Sequence, residues 1–467
     1  MVFKKKLYVL NSVQKPKYTI EIHHTKQRRK KLYIDSSDVE RDFRQMVSEK
    51  INGTHMGLWF LLPIHMRLGS WELVKAWSNT QDDTAIDPRL GMQMIHESAL
   101  CINGIRHQRT LRQRGFETLN GLPFVATDTA IHDVLDTHTM ADAGLVQTRL
   151  GLLRRALNHY RSSTILIDPH RIHTWSKRQF APRKSHFSTD ARKKLQTFFA
   201  IDASSGQPYT FGIGSASVTT AKATMQLVSQ LERIVQDKAI IVGDAEHFTT
   251  SLFEDMKNHK QFSLLVPAIR RKELMSRVHT LYYQRQWAGY AVAECMYKFG
   301  NNMERLIVQR TGEREEEYTY KPFLTTDTRN AAELMSMVFP QRWNIEEFFK
   351  TEQNLGWNRA ATFNMNIRYN RLTMSLIAQA VIYEMKKMVP KEMKAWTVEC
   401  LAEKLFSSID GDIRVKNDTI IVTFYDYDSQ LIALKKYYES LPQILEREGI
   451  DPRVPWLYGF KVDFRFR

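Results

Sequence analysis

Two short apolar runs that each close on an aspartate restrict the fold more than anything else in the chain. Thr164-Ile165-Leu166-Ile167 ends in Asp168, and Ala239-Ile240-Ile241-Val242-Gly243 ends in Asp244. Strands that are apolar at every position are those buried on both faces, as parallel strands are when helices cover each side of a sheet. Ligands of open α/β sheets gather beyond the carboxyl ends of such strands. If the two runs are neighbours, their aspartates meet. Either aspartate alone is more often a helix cap or a turn residue.

The surrounding pattern supports a sheet. Strand patterns at 163–168, 195–202 and 209–213 are joined, for the last two, by the turn Ala203-Ser204-Ser205-Gly206-Gln207-Pro208, so Asp202 reads as the start of a hairpin turn rather than a ligand. Ala221, Met225, Leu227, Val228, Leu231, Ile234 and Val235 trace a helix leading to the strand at 239–243. Strand, strand, strand, helix, strand is the first half of a ribonuclease-H-like layout. A helix near 250–259 and a strand at 262–266 follow, and then 277–325 alternates aromatic, apolar and charged positions as an inserted β-rich module would.

The expected fold is therefore multidomain α+β: a helical N-terminal domain, a ribonuclease-H-like α/β catalytic core interrupted by a β-rich insertion, and a small C-terminal α/β region. The expected boundaries are a basic N-terminal arm at 1–35, a helical DNA-binding domain at 36–160, the first half of the core at 161–276, the insertion at 277–330, the second half at 331–395 and the C-terminal region at 396–467. Helical spacing of Val39, Phe43, Met46, Val47 and Ile51 opens the N-terminal domain.

A formal charge of +16 over 467 residues exceeds what solubility requires and points to a polyphosphate partner, bound in a salt-dependent way. The densest basic cluster, Lys26-Gln27-Arg28-Arg29-Lys30-Lys31, reads as a DNA-contacting arm or as a solvated tail. Arg106, Arg109 and Gln113 share a helix face beside Arg112 and Arg114, before a Gly-containing loop and a helix capped at Thr127 or Asp128. That arrangement suits a major groove, although arginines at a helix end also complement its dipole. The best apolar run, Leu58-Trp59-Phe60-Leu61-Leu62, stops at Pro63, far short of a membrane span, so no membrane partner and a cytoplasmic location are expected. Three widely spaced cysteines, Cys101, Cys295 and Cys400, read as free thiols.

A third carboxylate lies on a helix. In Arg342-Trp343-Asn344-Ile345-Glu346-Glu347-Phe348-Phe349-Lys350, positions Arg342, Glu346, Lys350 and Gln353 fall on one side and Ile345, Phe348 and Phe349 on an adjacent apolar side. The apolar side seats the helix on the sheet and leaves the polar side free. An amphipathic surface helix with a Glu-Lys pair has the same pattern. Oxygen-rich carboxylate sites suit Mg2+, and two such ions about 3.5–4 Å apart clamp both oxygens of an in-line phosphodiester displacement.

The segment 342–350, preceded by two strand-ending aspartates in this order, resembles the glutamate region of bacterial insertion-sequence DDE transposases with a Tyr-x2-Arg-x3-Glu-x6-Lys signature. Arg342 and Glu346 match its arginine and glutamate, while Phe339 stands at the tyrosine position and Gln353 at the lysine position. The spacings, 244 − 168 = 76 and 346 − 244 = 102, leave room for the β-rich insertion of that family, and the resemblance covers about 161–395. It implies that Asp168, Asp244 and Glu346 are both the catalytic and the metal-binding residues, holding two Mg2+ ions for which Mn2+ would substitute. It also implies that Arg342 and Lys350 grip phosphate. The expected partner is double-stranded DNA, both element ends and target, bound by a homodimer. The expected activity is endonucleolytic cleavage at the element ends followed by joining of the 3′-hydroxyl to target DNA.

A ribonuclease-H-like nuclease without strand transfer, and a non-catalytic DNA-binding protein derived from a transposase, are the other readings. His170 and His173 have a metal-like spacing but lack further ligands for zinc. With Arg171, Trp175, Lys177 and Arg178 they line the rim of the site, where Lys177 and Arg178 meet DNA phosphates or are simply solvated. Trp287, Tyr282, Tyr283 and Tyr290 in the insertion stack on an unpaired base or pack as strand aromatics do.

Overall fold

The computed structural model describes residues 20–23, 30–33, 36–102, 114–173, 183–185, 188–192, 194–214, 218–257, 259–357, 362, 364–425 and 432–467. Lys26 to Arg29, the helix face of Arg106, Arg109 and Gln113, and the basic-loop residues Trp175, Lys177 and Arg178 lie outside the described residues.

Strands β1 (Ile20–His23) and β2 (Lys30–Tyr33) pair as an antiparallel ribbon, and β3 (Ile51–Gly53) follows the first described helix, Ser36–Val47. A nine-stranded sheet then runs through the centre of the chain. It contains β4 (Thr164–His173), β7 (Lys194–Asp202), β8 (Pro208–Gly214), β9 (Ala239–Val242), β10 (Phe262–Pro267), β11 (Gln284–Trp287), β12 (Tyr290–Phe299), β13 (Asn302–Thr311) and β14 (Thr319–Thr325). A separate ribbon, β5 (Arg183–Ser185) with β6 (Ser188–Arg192), lies between β4 and β7 in sequence. The strand order is β8-β7-β4-β9-β10-β14-β13-β12-β11, with β4, β9 and β10 mutually parallel and the other pairings antiparallel. The β-rich stretch that follows β10 extends this same sheet across the β10 edge.

The apolar run of β4 is explained by its two covered faces. Successive side chains point to opposite sides of a strand. Ile165 and Ile167 join Ile241, Leu264 and Val266 in a core closed by the helices Thr220–Leu231, Thr250–Met256 and Lys272–Val278. Leu166 joins Ile240, Val242, Leu265 and Phe199 on the other face, under the helix Trp343–Glu352 and the long helix Met365–Met388. The long helix begins where the Asn364 side chain accepts hydrogen bonds from the backbone N–H groups of Asn366 and Ile367, which satisfies two otherwise orphaned donors.

Buried polar groups fix how the N-terminal helices sit on this face. Arg154, on the helix Met140–Ala156, is fully buried and donates to the Leu376 carbonyl at 3.0 Å and to Gln207 Oε1 at 3.1 Å. Gln147 Oε1 accepts from Thr210 Oγ1 at 2.7 Å and from the Phe211 backbone N–H at 3.1 Å, while its Nε2 donates to Thr373 Oγ1 at 3.1 Å. One helix is thereby locked to both the sheet and the long helix, because each bond left unmade would strand a desolvated polar group.

The C-terminal strands β15 (Asp410–Lys416), β16 (Thr419–Tyr425), β17 (Arg453–Val454) and β18 (Phe460–Phe466) form a second sheet in the order β17-β18-β16-β15-β3. Its edge is the N-terminal β3, paired through Gly411 with Gly53 and Ile413 with Ile51. Residues far apart in sequence thus share one sheet. Among the described residues, no helix is long and apolar enough to cross a membrane. The three cysteines are free thiols.

The N-terminal turn Met56–Leu61 meets the chain at Leu405 so closely that a Cβ on Gly57 would lie 2.0 Å from the Leu405 carbonyl oxygen. Backbone cannot yield there as a flexible side chain would. Gly57→Ala is therefore expected to lower unfolding stability by about 1–3 kcal/mol. Gly144→Ala, in the helix Met140–Ala156 with nothing within 4 Å of the added methyl, should instead raise it by roughly 0.5–1 kcal/mol. Denaturant unfolding of the two variants checks both signs.

Candidate active site

The parallel pairing of β4 with β9 runs in a fixed register, with Thr164 beside Ile240, Ile165 beside Ile241 and Leu166 beside Val242. Each pair is offset by 76 positions (240 − 164), the same offset as between Asp168 and Asp244 (244 − 168). Parallel strands lie about 4.8 Å apart, so the two aspartates emerge side by side at the carboxyl end of the sheet. Asp168 continues β4, opposite Phe199 of β7. Asp244 leaves the sheet and begins the turn Ala245–His247.

That turn holds Asp244 in place. Its Oδ1 accepts the Glu246 backbone N–H at 2.9 Å and the His247 Nδ1–H at 2.8 Å. His247 is fully buried and reaches Asp244 by folding back over Gly243, where a Cβ would lie 2.7 Å from the imidazole Cγ. Arg171, further along β4, donates to Glu246 Oε1 at 2.7 Å and to Gln196 Oε1 at 3.2 Å.

The two aspartates differ in electrostatic state. Burial pushes the Asp168 carboxyl up to about 7, and the neighbouring Asp244 charge pushes the same way, against His247, Arg342 and Arg171. Burial also acts on Asp244, yet the His247 hydrogen bond and charge, the Glu246 backbone N–H and the Arg171 charge together hold it below the ordinary carboxylate range. The result is one firmly ionised acid beside one whose ionisation is resisted. A cation between them would relieve that repulsion.

The glutamate helix approaches from the Leu166 face. Ile345 and Phe348 are buried. Phe348 and Phe349 pack on Phe199 with ring centroids 5.5 Å and 5.6 Å away, and Phe349 stacks on His170 of β4 at 4.6 Å. Asn344 Nδ2 donates to the Ala203 carbonyl at 2.8 Å, which ties the helix to the β7–β8 hairpin. This seating brings Arg342 near enough to act electrostatically on Asp168, and its Nη2 donates to Glu346 Oε1 at 2.6 Å.

Not every expected residue joins the cluster. Glu346 faces Arg342, and among the described residues no three His, Cys, Asp or Glu side chains stand close enough to hold a metal ion together. Asp168 and Asp244 suit a hard divalent cation by donor type, and Arg342, which acts on Asp168, bonds Glu346. Lys350 is exposed and bonds Glu347 at 2.6 Å. Phe339, at the signature's tyrosine position, packs on Phe323 at 4.5 Å. Asp202 lies at the other end of the sheet, where it accepts from Ser162 and Ser205 and closes the hairpin turn. Trp287 is stacked on Tyr290 at 4.2 Å on the far edge of the sheet, while Tyr282 is 90% exposed.

Glu246 and His247 carry no signature of their own in the sequence, where Arg171 stands only as part of a basic rim. The signal available was their position just after a strand-ending aspartate, but the same residues suit the first turn of a helix equally well. If the aspartates repel as described, Asp168→Asn should melt a few degrees above the unsubstituted protein in the presence of a chelator. Equal or lower melting would argue against a like-charge pair at this point.

Among curated proteins, none matches the sequence. A solved structure, the cryo-EM structure of piggyBac transposase synaptic complex with hairpin DNA, is similar at 10% identity with a TM-score of 0.41, covering 77% of this chain and 82% of that chain. A family model described as a transposase DDE domain matches residues 159–380, slightly less than half of the chain, and the stretch includes Asp168, Asp244 and Glu346. Over those residues, which hold β4, β9 and the glutamate helix, the chain is similar to the transposase DDE domain family.

Proposed function

We propose that the chain is a metal-dependent DDE transposase that binds the ends of its own DNA element, cleaves phosphodiesters there and joins the freed 3′-hydroxyl to target DNA. The observation that carries the reading is that Asp168 and Asp244 emerge at the carboxyl ends of neighbouring parallel strands, while Arg342 acts on Asp168 and bonds Glu346. The order β8-β7-β4-β9-β10, with β7 antiparallel to both neighbours and β4, β9 and β10 parallel, supports a ribonuclease-H-like core.

Asp168, Asp244 and Glu346 would hold two Mg2+ ions, or Mn2+ in their place. The chemistry such ions would supply is activation of the attacking water or DNA hydroxyl and stabilisation of the leaving oxygen. Each protein residue then has a definite task. Asp168 would serve as a metal ligand from the end of the apolar run of β4. Asp244 is kept ionised and oriented by His247. Arg342 serves Glu346 in the absence of DNA and a phosphate oxygen in its presence. Lys350, Lys177 and Arg178 contact the backbone of double-stranded DNA, helped by the net charge of +16. The helical region at 36–160 binds element ends, and joining two ends calls for a homodimer on DNA.

Labelled element-end DNA supplied with Mg2+ and a plasmid target tests the proposal. Asp168→Ala, Asp244→Ala and Glu346→Ala should each abolish cleavage while leaving the gel shift of the same DNA in place. His247→Ala, acting through Asp244, should lower activity or metal affinity by about 10–100-fold. Products that are cut and never joined would assign the chain to nucleases instead, and wild-type activity in the aspartate variants would refute the site.

A further inference from the structure

A cavity of about 40 Å³ lies between the N-terminal helices and the start of the long helix, lined among others by Glu97, Ser98, His132, Arg368 and Arg371. A space of that size holds more than one water-sized group. Arg368 is 4% exposed. Its Nη2 makes one long bond, 3.4 Å, to Thr197 Oγ1, while Nε and Nη1 take no partner among the described residues. A buried guanidinium with two idle donors is costly unless something occupies them.

The neighbours do not neutralise it. Glu97, the carboxylate on the lining, already accepts from Gln93 Nε2 at 2.8 Å and faces Arg371 at 3.8 Å. Arg368 also sits in the first turn of a 24-residue helix, Met365–Met388, whose amino end carries partial positive charge. Among the described lining residues, Arg368 and Arg371 outnumber the one carboxylate, Glu97.

Its position relates it to the carboxylates. Thr197, which Arg368 touches, is paired with His170 on β4, and Asp168 is paired with Phe199. Thr197 thus lies two residues from the Asp168 level, about 7 Å at ~3.4 Å per residue. That is roughly two nucleotide rises along one DNA strand. Both Thr197 and Phe199 point to the face that carries the glutamate helix.

Resting on the reading of the chain as a DNA-processing enzyme, we infer that Arg368 and Arg371 form a pocket for a backbone phosphate of the DNA strand entering the carboxylate site. Arg368 brings a permanent positive charge with two idle donors, and Arg371 lines the same cavity, so a phosphate there would meet two guanidinium groups.

The test measures binding of a fluorescein-labelled random-sequence duplex of about 40 base pairs by anisotropy across a salt series. The unsubstituted protein is compared with Arg368→Gln, Arg371→Gln and Arg453→Gln, with thermal melting of each in buffer and in inorganic phosphate. The pocket predicts that each variant at 368 or 371 lowers the slope of log affinity against log salt by about 1 and weakens binding roughly tenfold, whereas Arg453→Gln, the same change at an exposed arginine paired with Asp451, does neither. Arg368→Gln should also melt at or above the unsubstituted protein and lose any stabilisation by phosphate.

Unchanged slopes in both Arg368→Gln and Arg371→Gln would overturn the pocket. So would phosphate stabilisation that vanishes in Arg368→Gln while DNA binding stays the same, since the pocket would then hold free anion only. If Arg368→Gln unfolds, Arg371→Gln decides by the same slope. If the unsubstituted protein fails to bind the duplex at all, it is the broader functional reading that falls.

Discussion

The pairing register of two parallel strands is the constraint from which the rest of the site follows. Backbone hydrogen bonds between β4 and β9 set Thr164 beside Ile240, and from that point the positions of Asp168 and Asp244 are no longer independent. Because both faces of these strands are buried, slipping the register would carry apolar side chains out of one core and into the other. The hydrophobic effect therefore does more than stabilise the sheet. It holds two acids together that would otherwise move apart.

The same features made this part of the molecule legible in the sequence. Runs such as Ala239-Ile240-Ile241-Val242 have one reading when flanked by turn signals, and the turn after Asp202 is spelled out by Ser204, Ser205, Gly206 and Pro208. The amphipathic face of 343–352 likewise foretold that Ile345 and Phe348 would be buried. Local periodicity sufficed wherever a side chain's fate was decided by its own element.

What stayed hidden depends on contacts across the chain. Nothing local to Ile51-Asn52-Gly53 says that it pairs with Asp410–Lys416, more than three hundred positions away. The continuation of the main sheet through β14, β13 and β12 was equally invisible, since alternation reveals strands and not their neighbours. At the site, the pairing of Arg342 with Glu346 had been noticed as spacing alone, and the bond from His247 to Asp244 requires a backbone path that no composition rule predicts. Arg368 reads in sequence as one more surface cation. Only folding shows it sealed beneath the N-terminal helices.

Gly243 has no side chain to contribute, yet the state of Asp244 depends on it. The imidazole of His247 occupies the volume that any larger residue would claim. Enlarging position 243 would evict the ring, take the donor from the carboxylate and leave that acid with desolvation less opposed. A vacancy of one methyl group thus governs the charge of a neighbouring acid, and a substitution that alters no reactive atom would disarm the site as surely as one that does.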